Sequence, residues 1–382
     1  MTSDITPKQR MLAAYRGEKL DRVPVAPEFW YYIPARLLGM DMIQIHRDIP
    51  HWKALQKTFR HYQCEGWGIV SPAPPDGPFE TRSEQIAGDN GQFETRHVTR
   101  TPAGELISRR RFHPDDPPWS VERPIKDFGK HWPVYAESAL LEPGEYDWRP
   151  VQKALEGVGE DYLLEVFIGN PFTDFVGGPR EGDFAQMVLD LQEHGDYLRD
   201  LRNRYVEHRC QLIRDALTRT AAESVFIGCS WSCGSLIGPR LWREWDRPVL
   251  AAFTDAAHRA GGLIHVHCHG DCAELVPDFA QMGVDCLCPL ERPPGGDVTQ
   301  ENMRDIKDIT RHRTTLNGNV HTVETLIRGK PDDVRNEVRQ IIDMWAEDGR
   351  LVVGTGDQVG RETPEENIAT MIDTAKSYGH YD

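Results

Sequence analysis

The chain has 382 residues, 39% hydrophobic and 27% charged, with a formal net charge of −16. An acidic surface disfavours binding to nucleic acid, which needs Lys and Arg to neutralise phosphates, and ISRRRF at 107–112 is too short a basic run to change that. No stretch approaches the ~18 consecutive apolar residues of a membrane helix, and MTSDITPKQR lacks the basic start and apolar core of a secretory signal. A cytoplasmic protein with no nucleic-acid or membrane partner is therefore expected. The cysteines Cys64, Cys210, Cys229, Cys233, Cys268, Cys272, Cys286 and Cys288 form no CxxC pair and read as reduced, small buried hydrophobes.

Taken in chain order, short β-rich runs alternate with longer helix-compatible stretches. The runs are VPVAPEFW (23–30), WGIV (67–70), YLLEVFIG (162–169), SVFIGCS (224–230), GGLIHVHCH (261–269), VDCLCPLE (284–291), TTLNGNV (314–320) and RLVVGTGD (350–357). Between them, residues 183–217 carry Met187, Leu189, Leu191, Leu198, Leu201 and Tyr205 at helical spacing, and 332–349 behaves likewise, with Gly349 as its stop. Eight such units predict one α/β domain over 1–382, a (β/α)8 TIM barrel. The surplus length lies between the second and third strands. Residues 93–113 read as a β-hairpin around a Pro-Ala-Gly turn, followed by the proline-rich DDPPWSVERP, so 76–125 is expected as an insertion near the barrel mouth. The competing architecture, a doubly wound open sheet, lacks support from any GxGxxG after a strand.

A barrel carries its chemistry at the C-terminal strand ends. Those ends are Glu28, Asn170, Ser230 with Trp231, His267 with His269, Glu291, Asn317 with Asn319 and His321, and Asp357. The fifth run, LIHVHCHGDC (263–272), sets three histidines in alternation. Side chains alternate across a strand, so Ile264, Val266 and Cys268 would face the helices while His265, His267 and His269 point inward. An HxH pair holds two imidazoles ~7 Å apart at Cα, close enough to chelate one metal. Glu291 and Asp357 are the carboxylate candidates, and Cys272 is a further candidate from the following loop. Such a donor set suits zinc, and also iron(II) or manganese. Alternatively the histidines bond to backbone and to one another in a polar interior.

Other strand-end residues carry paired readings. Glu28 is a candidate general acid or base, or an arginine partner. His265 is a candidate for orienting a ligand. Trp30 and Tyr31 would stack on substrate or cap the barrel, and Trp231 in GCSWSCGSLIGP would line a pocket or simply pack. Asn170, Asn317, Asn319 and His321 are candidates for hydrogen bonds to substrate, Asn319 with a catalytic role; in the alternative they satisfy loop backbone. No phosphate cradle and no GxSxG elbow is visible.

The segments RGEKLDRVPVAPEFW (16–30), GNPFTDF (169–175), GVDCLCPLERPPGGDV (283–298), TLNGNV (315–320) and VVGTGDQVGRETPEENI (352–368) resemble, in order, those of the uroporphyrinogen decarboxylase superfamily. The resemblance implies a (β/α)8 barrel. True decarboxylases of this superfamily are metal-free and use arginines, an aspartate, a tyrosine and a histidine around a tetrapyrrole. Here PEFWYYIPARLLG replaces the arginine-rich motif, Gly177 stands near the tyrosine's place, and Thr355 stands at the histidine's. The chain is more similar to the superfamily's zinc-dependent corrinoid methyltransferases, whose pattern is His-x-Cys-Gly, then an acidic residue, then a cysteine. At those places stand His267-Cys268-His269-Gly270, Glu291 and Asp357, so both thiolates are gone.

Thiolates suit zinc to a soft thiol substrate, whereas a His/carboxylate set is harder and favours an oxygen substrate. The resulting expectation is an O-demethylating methyltransferase. It would hold zinc, or another divalent metal, through His267, His269, Glu291 and Asp357. It would pass a methyl group from a small-molecule donor to a corrinoid (cobalamin) cofactor supplied in trans by a partner protein. The alternatives are a metal-dependent lyase or hydrolase, including a decarboxylase, on a small organic acid, and a metal-free barrel that binds a tetrapyrrole. A homodimer is left open.

Overall fold

The computed structural model describes residues 5–381. Seven strands, β1 (Trp67–Val70), β6 (Leu163–Gly169), β7 (Ser224–Cys229), β8 (Leu263–Cys268), β9 (Cys286–Pro289), β10 (Thr315–Val320) and β11 (Leu351–Thr355), lie in that order in one parallel sheet. Every neighbouring pair is parallel and sequential, so each connection returns over the same face. The sheet is curled as in a TIM-like barrel. The run expected as the first strand contributes less than a strand. Ala26 N donates to Val353 O and Val353 N to Pro24 O, a single parallel bridge onto β11. Pro24 and Pro27 have no N–H to give, which keeps this segment from extending its ladder. Among the described residues no backbone ladder joins it to β1. Instead the buried Glu65 carboxylate accepts from Val25 N at 3.0 Å, Arg22 at 2.6 Å and Arg10 at 2.7 Å across that seam.

Alternation along the strands sorts the core into two layers. Leu164, Val166, Val225, Ile227, Ile264, Val266, Leu287 and Val353 pack outward against helices. Leu163, Phe226, Cys286, Cys288 and Val352 point inward, against Trp67 and the helix Pro7–Arg16. That helix, started by a Thr6–Gln9 capping box, brings Met11, Leu12 and Tyr15 to the inner layer. The helical pattern at 183–217 resolves into two helices, Asp183–Glu193 and Gly195–Arg219, with His194 between them. The later helix runs Pro331–Trp345 and stops short of Gly349, which takes a left-handed turn at φ +77°.

Residues 80–122 form a four-stranded antiparallel sheet, β2 (Glu80–Ala87), β3 (Phe93–Thr101), β4 (Gly104–Phe112) and β5 (Trp119–Glu122), in sequential order. The β3–β4 hairpin coincides with the run read as a hairpin. The two outer strands were not expected: β5 lies inside the proline-rich stretch read as a loop. Every residue of β2 is exposed, so it carries no alternation of apolar and polar positions to reveal it. Val98 and Leu106 are the buried residues of this sheet, which packs on the helix Phe128–Ala139.

Candidate metal centre

His265, His267 and His269 lie along β8 and just past its end, on the inward side with Phe226 and Trp67. At the top, donor atoms of His269, Glu291 and Asp357 lie within 4.8 Å of one another. They come from the ends of β8, β9 and β11, three strands that only the curled sheet brings together. Glu291 is 8% exposed; its Oε1 lies 3.2 Å from His269 Nδ1, and its Oε2 accepts the Gly270 N–H. Donors around one tetrahedral zinc ion sit about 3.4 Å apart, so the group would have to draw in by up to about 1 Å to seat a divalent ion. The set is one imidazole and two carboxylates, nitrogen and oxygen without sulfur; Cys272 is not part of it.

His267, expected as a ligand, stands beside this group rather than in it. Its Nε2 is 2.8 Å from His269 Nε2, and its Nδ1 is 3.1 Å from Cys288 Sγ. One pleat deeper in the barrel, its ring is buried and braced by Trp67 and Phe226. Burial, then the neighbouring His269 and His265, hold its pKa well below the usual imidazole value. It is a neutral imidazole that backs His269.

Below it runs a chain of contacts that sequence reasoning missed. Cys288 Sγ lies 2.9 Å from His265 Nε2, His265 Nδ1 lies 2.8 Å from Glu165 Oε2, and Ser224 Oγ donates to Glu165 Oε1 at 2.6 Å. Tyr15 from the floor helix places its hydroxyl 3.2 Å from His265 Nδ1. Glu165 and His265 are both fully buried. Burial alone would lower His265, yet its pKa is raised well above the ordinary value by the acidic groups that face it, Cys286, Cys288 and the Glu165 carboxylate. Glu165 sits mid-strand in YLLEVFIG, and a charge at an inward position was the available signal. Cys288 was read as a small hydrophobe.

Glu28 is 5% exposed. Its carboxyl accepts from Trp30 Nε1, and its Oε2 is 3.9 Å from His267 Nδ1. Burial and then the Asp357 charge push its pKa up to about 8, so it holds a proton at neutral pH. His269 goes the other way from His267: burial lowers it, but the Glu291 hydrogen bond and the charges of Asp357 and Glu291 lift it to about 9. Burial raises Asp357. Trp30 stacks on His51 at 5.7 Å, and Tyr31 stacks on His46 at 4.6 Å, forming an aromatic shoulder at Glu28.

The remaining candidates lie outside this group. Asn319 donates to Leu290 O at 2.9 Å and accepts from Arg292 at 3.3 Å, which ties two strand ends together. His321 Nδ1 accepts the N–H groups of Val323 and Glu324, and Nε2 lies 3.0 Å from Pro293 O; it caps the turn Thr322–Ile327. Trp231 packs under Arg123 at 5.0 Å and against Gly177, away from the histidines. Asn317 is 2% exposed, with an unpartnered Nδ2 and its Oδ1 against Gly354. Asn170 donates to Gly228 O at 2.6 Å and lines a cavity of about 590 Å³ between the four-stranded sheet and the ends of the barrel strands. This cavity is not lined by His267, His269, Glu291 or Asp357.

Residues 145–378 match the family model described as Uroporphyrinogen decarboxylase (URO-D), well over half of the chain. The chain belongs to the uroporphyrinogen decarboxylase family. The fold is shared with a methyltransferase from Methanosarcina mazei, with a TM-score of 0.64 at 17% identity, covering 98% of this chain and 99% of that one. A xylanase XynB from Paenibacillus barcinonensis aligns at a TM-score of 0.34 and 9% identity over 60% of this chain and 83% of that one. No curated protein matches the sequence. Thr355, which stands where the resemblance places the last-strand histidine, accepts the Glu28 N–H through its Oγ1 at 3.1 Å. The described residues include no helix long and apolar enough to cross a membrane.

Proposed function

We propose that this protein is a metal-dependent methyltransferase that removes a methyl group from a small methoxy compound and delivers it to a corrinoid held by a partner protein. The observation that carries this reading is the convergence of His269, Glu291 and Asp357 at the strand ends. The full-length fold likeness to the Methanosarcina mazei methyltransferase supports it. Those three residues would hold a zinc ion or similar divalent metal. When bound, that ion would polarise an ether oxygen, and the corrinoid would accept the methyl group. The oxygen-rich donor set favours an oxygen substrate over a thiol.

The chain's own groups have defined tasks in this reading. His267, neutral and buried, orients His269 through the 2.8 Å contact. Glu28 holds a proton beside the group, and the departing oxygen needs one proton to leave as an alcohol or phenol. Trp30 and Tyr31 form the wall next to it. The test mixes zinc-loaded protein, cob(I)alamin and a panel of methoxy compounds, and follows methylcobalamin by absorbance. Methyl transfer by wild type, reduced roughly 10²-fold or more in Glu28→Gln, supports the reading. No methylcobalamin from any member of the panel contradicts it. The same nitrogen and oxygen donor set also favours water activation in a hydrolase or lyase; that reading predicts turnover of a small organic acid with no cobalamin consumed.

A further inference from the structure

The cavity of about 590 Å³ beneath the four-stranded sheet falls in the size range of small-molecule sites, roughly 300–1,000 Å³. Two arginines face it from opposite sides, Arg209 on the helix Gly195–Arg219 and Arg110 on β4. Arg209 Nε is shielded from solvent and has no hydrogen-bond partner, and its guanidinium lies over the Tyr205 ring at 5.1 Å. Among the described residues no carboxylate forms an ion pair with it within 4 Å. Arg110 is likewise without a carboxylate and reaches only Pro118 O, at 3.3 Å. The other charges on the wall are already engaged. Arg123 pairs with Asp183 at 2.5 Å, and Glu122 with Arg109 at 2.7 Å and with Lys126. Asp174 accepts the N–H groups of Ser230, Trp231 and Ser232 at 2.9–3.1 Å.

In a chain of net charge −16, two guanidinium groups without a carboxylate partner in one cavity are out of pattern; Arg209 meets the Tyr146 and Tyr205 hydroxyls, which leaves its Nε unpartnered. A buried donor without a partner costs stability, and a ligand that satisfies it recovers that loss. Five rings, Tyr135, Tyr146, Phe167, Phe175 and Tyr205, also line the cavity, among serines, prolines and aliphatic residues. We infer that this cavity binds a small aromatic carboxylate. Arg209 takes the carboxylate as a planar fork, Arg110 closes over it from the sheet, and the rings receive the flat apolar body. The four-stranded sheet thereby acquires a task, since β4 supplies one half of the clamp. This inference does not depend on methyl transfer.

The test is calorimetric titration of the full chain with benzoate, benzyl alcohol and inorganic phosphate as probes. Wild type is expected to bind benzoate, to bind benzyl alcohol at least about tenfold more weakly, and to bind phosphate more weakly than benzoate. Arg209→Gln should weaken benzoate roughly tenfold to a hundredfold, the range for a hydrogen bond to a charged group, with circular dichroism confirming the fold. Arg110→Gln, on an exposed strand position, should weaken it several-fold. Asp357→Asn should leave benzoate binding intact, which separates this site from the metal centre. No benzoate binding to wild type, unchanged binding in both arginine variants, phosphate binding tighter than benzoate, or loss confined to Asp357→Asn would each overturn the inference.

Discussion

His269 decides the chemistry of the strand-end group at the scale of single residues, because it touches a neutral histidine on one nitrogen and a carboxylate on the other. Its pKa of about 9 means that the metal-free protein carries imidazolium there at neutral pH. A metal needs the neutral ring, so binding must displace that proton. The sign follows: apparent affinity rises with pH, by about tenfold per unit where one proton is released, and levels off above about pH 9. Zinc titrations between pH 6.5 and 9.5 with a competing chelator check this, and a flat profile would contradict the assignment of His269 as a ligand. His265, Glu165 and Cys288 show what residue types alone conceal. The alternation of three histidines is plain in the sequence, but the partners that distinguish them lie on other strands. The deepest histidine faces a buried carboxylate, the middle one a thiol, and the outermost the Glu291 carboxylate. Removing one member of a buried charged pair costs about 3–5 kcal/mol. Glu165→Ala should therefore destabilise the fold by about that much in urea unfolding, and a loss under 1 kcal/mol would mean that the pair is not formed as described.

Elements were legible where burial imposes a period. The strands from β6 to β11 are apolar on both faces or alternate, and each was read within a few residues of its place. Where burial imposes none, the reading failed. The exposed β2 looks like loop, β5 hides among prolines, and prolines at 24 and 27 shorten the first run to one bridge. The floor helix Pro7–Arg16 went unread because its contribution, Tyr15 against His265, depends on the sheet being curled above it. The added sheet also makes a separable prediction. Leu106 is 5% exposed where β4 meets the helix Phe128–Ala139, so Leu106→Ala should cost about 2–3 kcal/mol. Zinc stoichiometry should stay unchanged, because the metal group hangs on the other sheet. Differential unfolding with parallel metal analysis checks this; loss of metal in Leu106→Ala would show that the two sheets are coupled more tightly than their contacts indicate.

At the scale of the whole molecule, the fold and family follow from the order of motifs, while the activity depends on departures from them. The strand-end positions that would carry thiolates in the resembled methyltransferases carry His269 and Asp357, and the decarboxylase's last-strand histidine is Thr355. Those departures were visible in the sequence. What the sequence did not reveal is that three of the four expected donors, without His267, lie within 4.8 Å of one another, since the His267 ring turns toward Cys288 and packs against Trp67 and Phe226. Nor did it reveal the arginine-lined cavity, because Arg209 and Arg110 are 99 positions apart and meet only through the fold.

The central claim is that His269, Glu291 and Asp357 hold one divalent ion, and elemental analysis of the purified protein tests it most directly. Wild type, reconstituted with zinc and desalted, is predicted to retain one equivalent. His269→Ala and Asp357→Asn should each lose most of it, and His267→Ala should retain it with weakened affinity. No zinc, iron or manganese in wild type after reconstitution, or full retention in both His269→Ala and Asp357→Asn, would contradict the account.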